Sequence, residues 1–339
     1  MVNIKKNKIL NCAVIGLGVG ERHASVYLKH SNTRLVAVCD INKKKINSYK
    51  NNHTNKINFY NNYRDMIVNE DLELVSVASY DEAHFEQIIF LLENKINVVV
   101  EKPMCLTFNN LDKIFKLIKK YRVNIYSNLT LRGNRYFAKI KNDISLEKYG
   151  KIFYLSGDYI YGRIGKIIKG WRSETPNYSI ILGGAIHLID LLLWFNNKRV
   201  KSILAIANKS RTQNTNFKHK DFSIMLIKFE DNSIAKITAN FASNLPHRHL
   251  FEIHGTKKSL FMDYNFSYTF TKPEIKNLKK IDIKKYIYDK EFIIRKNVDK
   301  ILLNDKEETL YQFNLMSVCL SAEKSIKSGK WERVKKYYA

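Results

Sequence analysis

An α/β chain of two domains is predicted, the first a doubly wound parallel sheet and the second an α+β unit with a large open, mostly antiparallel sheet. Three observations predict it. Apolar strand-like runs alternate with helix-like segments through about residue 128. Strands that are apolar without interruption belong to a parallel sheet covered on both faces. A turn of three glycines, Gly16-Leu17-Gly18-Val19-Gly20, closes the first of these strands. Beyond that region, strand-like runs follow one another without helices between them, the pattern of an antiparallel sheet.

In chain order, 9–15 is an apolar run ending at Gly16, 21–30 is helix-like, and 35–39 is an apolar run ending at Asp40. A helix over 42–50 follows, then a strand over 72–79, a helix over 83–94 and a mostly β-branched strand over 97–100. A helix over 109–120 and a strand over 123–127 complete the first half. The second half opens on a tyrosine-rich strand over 151–161 and a helix over 183–195. Strands are expected over 200–207, 222–229, 234–241 and 250–254. Residues 260–288 carry no clear period, and 308–327 is a long helix stopped by Ser328-Gly329. The expected domains are therefore 1–125 and 126–339, with the helix over 308–327 packing back on the first.

Lys and Arg number 58 against 32 Asp and Glu, a net charge of +26. Such an excess invites a nucleic-acid reading. Here the lysines are scattered through nearly every segment, densest over 276–290, and are not interleaved with aromatics on one face. The expectation is no nucleic-acid partner. The cysteines, Cys12, Cys39, Cys105 and Cys319, form no Cys-x-x-Cys pair, so neither a metal nor a disulfide framework is expected. The longest stretch without Lys or Arg that resembles a membrane span, 179–195, contains His187 and Asp190. The first apolar run passes straight into the glycine turn and Glu21-Arg22, unlike a signal peptide. No membrane partner and a cytoplasmic location are expected.

Glycine is needed after the first strand because the backbone must turn tightly and approach a pyrophosphate at a helix N-terminus. That is the Rossmann dinucleotide turn. The spacing here is G-x-G-x-G, and Glu21 stands where the standard pattern has its last glycine. Asp40, ending the second strand, is placed to accept hydrogen bonds from a ribose. It would repel a 2′-phosphate, which favours NAD; Lys43, Lys44 and Lys45 leave NADP open. A helix cap is the structural alternative for Asp40. Lys102, in Glu101-Lys102-Pro103, lies at the carboxyl end of a parallel strand, where open sheets bind ligands. Pro103 keeps it out of helical angles. A lysine there can stabilise negative charge developing on a hydroxyl oxygen.

These segments, with Arg22-His23-Ala24, Ser79-Tyr80-Asp81-Glu82-Ala83-His84 and Gly184-Ala185-Ile186-His187-Leu188-Ile189-Asp190, resemble in their order the Gfo/Idh/MocA family of glucose-fructose oxidoreductase, inositol dehydrogenase and their relatives. The resemblance spans essentially the whole chain. It implies an N-terminal Rossmann domain holding NAD(P), and a C-terminal domain whose open sheet often makes a homodimer or homotetramer interface. It implies oxidation or reduction of a carbinol carbon of a sugar, inositol or nucleotide-sugar. Lys102 and His187 take the catalytic positions. Gly16, Gly18, Val19, Gly20, Asp40, Ser79, Tyr80, His84, Glu101 and Lys102 take the cofactor positions. His187 would remove the hydroxyl proton, Lys102 would stabilise the oxygen, and hydride would pass to the nicotinamide. The structural alternative for His187 is a core histidine, and for His84 a helix cap.

One departure stands out. Many members carry an aspartate four residues before the catalytic histidine, where this chain has Gly183. Asp190 is expected to be structural, orienting His187 or capping backbone. Asn128, Arg132 and Arg172 are candidate substrate contacts, with Arg172 suited to a carboxylate or phosphate, and Tyr159, Tyr161 and Arg163 end a strand nearby. The first substrate class expected is an anionic nucleotide-sugar. A non-catalytic NAD-binding regulator on the same scaffold, or an inositol or aldose dehydrogenase, is the alternative.

Overall fold

The computed structural model describes residues 8–53 and 56–338. The chain divides into two compact units: 1–130 with 290–316 and 337–339, and 131–289 with 317–336. The sequence reading divides it once, at 125; the structure divides it at 130 and returns residues 290–316 to the first unit.

The first unit begins β1 (Leu10–Ile15), α1 (Gly20–Lys29), β2 (Thr33–Cys39), α2 (Lys43–Asn51), β3 (Asn58–Tyr60), α3 (Tyr63–Asn69) and β4 (Leu74–Val77). It continues α4 (His84–Glu93), β5 (Asn97–Val100), α5 (Phe108–Tyr121) and β6 (Ile125–Ser127). The strands form one parallel sheet in the order β3-β2-β1-β4-β5-β6. β4 is buried at every position, as a strand covered on both faces must be. Asn42, Asn62 and Thr107 cap the helices they precede, each side chain accepting a backbone N–H of the first turn. The order reverses between β1 and β4, and a crevice opens beyond the carboxyl ends of strands at such a point.

The second unit contains α6 (Arg135–Ser145), β7 (Ile152–Ile160), short helices α7 (Gly165–Ile168) and α8 (Trp171–Glu174), and α9 (Ile186–Asn196), entered through a π-helical turn at Ile181–Ala185. Then come β8 (Val200–Asn208), β9 (Phe222–Phe229), β10 (Ile234–Asn240), β11 (Arg248–Gly255), β12 (Ser259–Met262), β13 (Phe266–Phe270) and β14 (Lys279–Asp282). Helix α10 (Phe292–Leu303), which belongs to the first unit, and helix α11 (Lys306–Ser328) follow, then β15 (Glu332–Arg333) of the second. α11 begins in the first unit and ends in the second. The sheet order is β14-β13-β12-β11-β7-β10-β9-β8-β15. Among the described strand pairs of this second sheet, only β7 and β10 run parallel.

One face of this sheet is buried, and Gly157 lets Leu188 of α9 press onto it: a Cβ at Gly157 would lie 2.8 Å from the Leu188 side chain. The other face leaves Ile206, Leu226, Ile234 and Phe261 exposed. The register of β7 to β12 puts them on the same side.

The sequence reading leaves β3, α3, α6 and α10 unassigned. β3 and α3 are too short to show a period. α10 owes its place to Ile294, Val298 and Ile301, which complete the core of Leu10, Val14, Tyr27, Leu74 and Val99 in the first unit. Residues 260–288 resolve into β12, β13 and β14, closing one edge of the second sheet.

Candidate active site

The three glycines have three different physical reasons. Gly16 has φ +96°, and a Cβ there would lie 2.5 Å from the Ala78 carbonyl oxygen, so the turn after β1 touches the chain leaving β4. A Cβ at Gly20 would lie 2.8 Å from Val14, so this glycine lets α1 close on β1. At Gly18 the nearest atom to such a Cβ is Lys45 Nζ, 3.9 Å away. No neighbour within the protein demands that glycine. Its missing side chain leaves room beside the N-terminus of α1, whose cap residue Val19 supplies no side-chain acceptor. Unsatisfied N–H groups and open backbone are what a pyrophosphate requires, so the residues fit a dinucleotide.

Asp40 is buried. Its Oδ2 accepts the Leu17 N–H at 2.7 Å and its Oδ1 accepts the Asn42 N–H at 2.8 Å, with Lys45 Nζ 3.5 Å from Oδ2. The carboxylate thus ties the end of β2 to the glycine turn, while the cap of α2 is Asn42. Of the three lysines, Lys45 is the one that pairs with Asp40. Oδ1, which accepts a single N–H, keeps a lone pair for a ribose hydroxyl.

Beyond β4, Ser79 donates its hydroxyl to Gln87 at 2.7 Å, and Tyr80 is exposed. His84, expected at the cofactor, is instead fully buried. Its Nδ1 lies 2.7 Å from the Pro103 carbonyl and its Nε2 3.1 Å from the Ser79 carbonyl. Lying between these two carbonyls with no exposed surface, it fastens the segment after β4 to the one after β5.

Glu101 and Lys102 leave β5 together. His23 Nε2, fully buried on α1, donates to Glu101 Oε1 at 3.2 Å, and Asn128 Nδ2 donates to the same oxygen at 2.7 Å. His23 Nδ1 meets Ser76 Oγ at 2.8 Å, which meets Tyr27 Oη at 2.6 Å. Burial by itself would raise the Glu101 carboxyl. The hydrogen bond and charge of His23, the Asn128 amide and the charge of Lys102 outweigh it and hold the group at about 2. Glu101 is thus engaged inward by His23 and Asn128, a partnership the sequence reading missed. The Asn128 carbonyl oxygen is buried with no partner among the described residues, an acceptor still open to a donor.

In the second unit, Arg132 grips the fully buried Asp190 with two hydrogen bonds, Nε to Oδ2 at 3.0 Å and Nη2 to Oδ1 at 2.5 Å. Arg132 anchors α9 through this pair, and Asp190, expected to be structural, holds Arg132. His187 stands on the first turn of α9, partly exposed. Beside it are two histidines the sequence reading did not single out. His247 and His249 alternate along the chain, so they share a face of the sheet, with ring centroids 5.0 Å apart. Tyr159 of β7 stands 5.0 Å from His249. Burial, with His247, His187 and Arg163, pushes His249 well below the ordinary histidine range, so its ring is neutral. Arg172 donates Nε to the Tyr178 hydroxyl at 3.1 Å and lies against the rings of Trp171, Tyr178 and Tyr161. Among the described residues no group of His, Cys, Asp and Glu is arranged to hold a metal, and no helix is long and apolar enough to cross a membrane.

Residues 10–129 match the model of an oxidoreductase family described as an NAD-binding Rossmann fold, GFO_IDH_MocA. Residues 137–261 match the GFO/IDH/MocA C-terminal domain. Inositol 2-dehydrogenase of Salmonella paratyphi B is 22% identical over 197 residues, 57% of this chain and 56% of that enzyme. The match thus spans little more than half of that relative's length. Myo-inositol 2-dehydrogenase from Lactobacillus plantarum superposes with a TM-score of 0.79 at 21% identity, covering 97% of this chain and 100% of that one. Scyllo-inositol dehydrogenase from Lactobacillus casei, solved with NAD(H) and scyllo-inositol, gives 0.75 at 18% identity over 96% and 99%. At these identities the structural likeness is one of fold.

Proposed function

The chain belongs to the Gfo/Idh/MocA oxidoreductase family, and from that premise we propose that it is an NAD-dependent dehydrogenase acting on a carbinol carbon of a sugar or nucleotide-sugar. The observation that carries the reading is the glycine turn: Gly16 and Gly20 are demanded by the protein's own packing, and Gly18 is not. The Asp40 carboxylate at that turn favours an unphosphorylated ribose, hence NAD over NADP. NAD, when bound, supplies the hydride acceptor.

The chain's own residues supply placement and proton handling. His187 is the general base that takes the hydroxyl proton. Lys102 donates a hydrogen bond to the same oxygen and stabilises the negative charge that builds on it. Glu101, held ionised by His23 and Asn128, fixes the segment that carries Lys102. Asn128 offers its open carbonyl oxygen to a substrate or cofactor donor. The exposed apolar residues Ile206, Leu226, Ile234 and Phe261 support a homodimer or homotetramer formed on the open sheet. Four free, buried cysteines suit a reducing cytoplasm.

Mass spectrometry of the purified protein for bound dinucleotide, followed by NADH formation with a panel of sugars, inositols and UDP-sugars, tests the reading. Lys102→Ala and His187→Ala should each lower turnover by about 10²–10⁴-fold. Wild-type turnover in either variant would remove that residue from the chemistry. Retained NAD binding with no redox exchange on any carbinol would favour the regulator alternative, which Gly183 leaves open.

A further inference from the structure

The turn before His187 carries a replacement that bears on substrate charge. A Cβ at Gly183 would lie 2.3 Å from the Tyr178 hydroxyl, and the next nearest atoms are also of the Tyr178 ring. The phenol therefore fills the space in which a side chain at 183, a carboxylate included, would project. That hydroxyl accepts from Arg172 Nε at 3.1 Å, so a guanidinium is brought to this turn. Three rings fix its position: Trp171 at 4.5 Å, Tyr178 at 5.7 Å and Tyr161 at 5.8 Å. Arg163 lies 5.8 Å from the other-named ring, Tyr161.

Resting on the reading above, we propose that the substrate carries an oxyanion, a carboxylate or a phosphoryl group, and that Arg172, set in place by Tyr178, binds it. A guanidinium has only N–H donors, and it reads planar or tetrahedral oxyanions best. A carboxylate at the same turn would have accepted from neutral hydroxyls. The surroundings agree in sign. Burial raises the Tyr159 phenol; Tyr178 and Tyr161 act with it and Arg163 and Arg172 against it. The groups acting on His249 are His247, His187 and Arg163.

The test uses the full chain saturated with NAD. Initial rates of NADH formation are measured with D-glucose, D-glucuronate, D-glucose 6-phosphate and UDP-glucose, and binding of the same four by calorimetry. The expected result is that at least one anionic probe exceeds glucose by about tenfold or more in kcat/KM or affinity, the scale of one charged hydrogen bond. Arg172→Gln should erase that preference, mainly through KM, and Arg172→Lys should restore part of it. Glucuronate against glucose 6-phosphate and UDP-glucose separates carboxylate from phosphoryl. Glucose performing as well as the anions, or a preference unchanged in Arg172→Gln, overturns the proposal. The wild-type comparison decides even where a variant does not fold. Turnover of glucose that depends on Lys102 and His187 without anion preference would leave the dehydrogenase reading standing and remove only this one. Failure to bind NAD would remove the dehydrogenase reading, while calorimetry of the four probes still decides the anion site.

Discussion

Replacing the turn glycines one at a time should separate folding from binding. At Gly16, alanine must adopt φ +96°, which costs about 1–2 kcal/mol for a residue with a Cβ. The 2.5 Å approach to the Ala78 carbonyl adds a clash with backbone that has no room to move, about 1–3 kcal/mol. Together these make a loss of roughly 2–5 kcal/mol. Gly20→Ala meets the Val14 side chain at 2.8 Å, another overpacking of about 1–3 kcal/mol, offset by about 1 kcal/mol from better helix propensity. Gly18→Ala meets nothing closer than 3.9 Å, and no positive φ is needed there. It should leave stability unchanged or raise it by about 0.5 kcal/mol, through a less flexible unfolded chain. Yet its methyl group would occupy the space assigned to the pyrophosphate, so NADH affinity should fall by about tenfold or more, or at least 1.4 kcal/mol. Urea unfolding without dinucleotide, and quenching of protein fluorescence by NADH, measure the two quantities. A Gly18→Ala protein that binds NADH like wild type would refute the assignment of that space to the cofactor. A fully stable Gly16→Ala protein would refute the packing argument.

Three further outcomes follow from the same geometry. Glu101 lies at about 2 when folded against an ordinary 4.5, and at about 1.4 kcal/mol per pH unit the gap corresponds to roughly 3 kcal/mol. Because the folded value is the lower one, this stability is complete above pH 4.5 and fades as pH falls toward 2; the wild-type advantage over Glu101→Gln in urea midpoint should shrink over that window, and a pH-independent difference would count against it. Asp190→Asn removes the fully buried carboxylate that pairs with Arg132 and should cost about 3–5 kcal/mol in the same assay; a loss below about 1 kcal/mol would show the pair is dispensable. Ile206→Asp with Leu226→Asp, both exposed on the open sheet face, should convert an oligomer to monomer in sedimentation and cost each protomer little, within about 0.5 kcal/mol per surface site; an unchanged sedimentation coefficient would move the interface elsewhere.

Much of the fold is legible in the sequence because its causes are local. A buried parallel strand must be apolar along its length, and the runs ending at Gly16, Asp40 and Glu101 display that without reference to anything distant. The turn after β1 needs glycine for reasons of backbone sterics, so its residues announce it. The order of Glu-Lys-Pro and the histidine helix likewise points to the family. What the sequence does not display is pairing across the chain. His23 and Glu101 stand 78 residues apart, Arg132 and Asp190 58 apart. Neither pair leaves a periodic trace, since one hydrogen bond constrains one residue at each end. The tertiary structure alone turned His84 inward between two carbonyls, committed Arg132 to Asp190, and returned α10 to the first core. It also decided what Gly183 means. In the sequence that glycine is a missing side chain; in the fold it is the space taken by Tyr178, because a side chain's volume can be replaced by any residue that packing brings within reach.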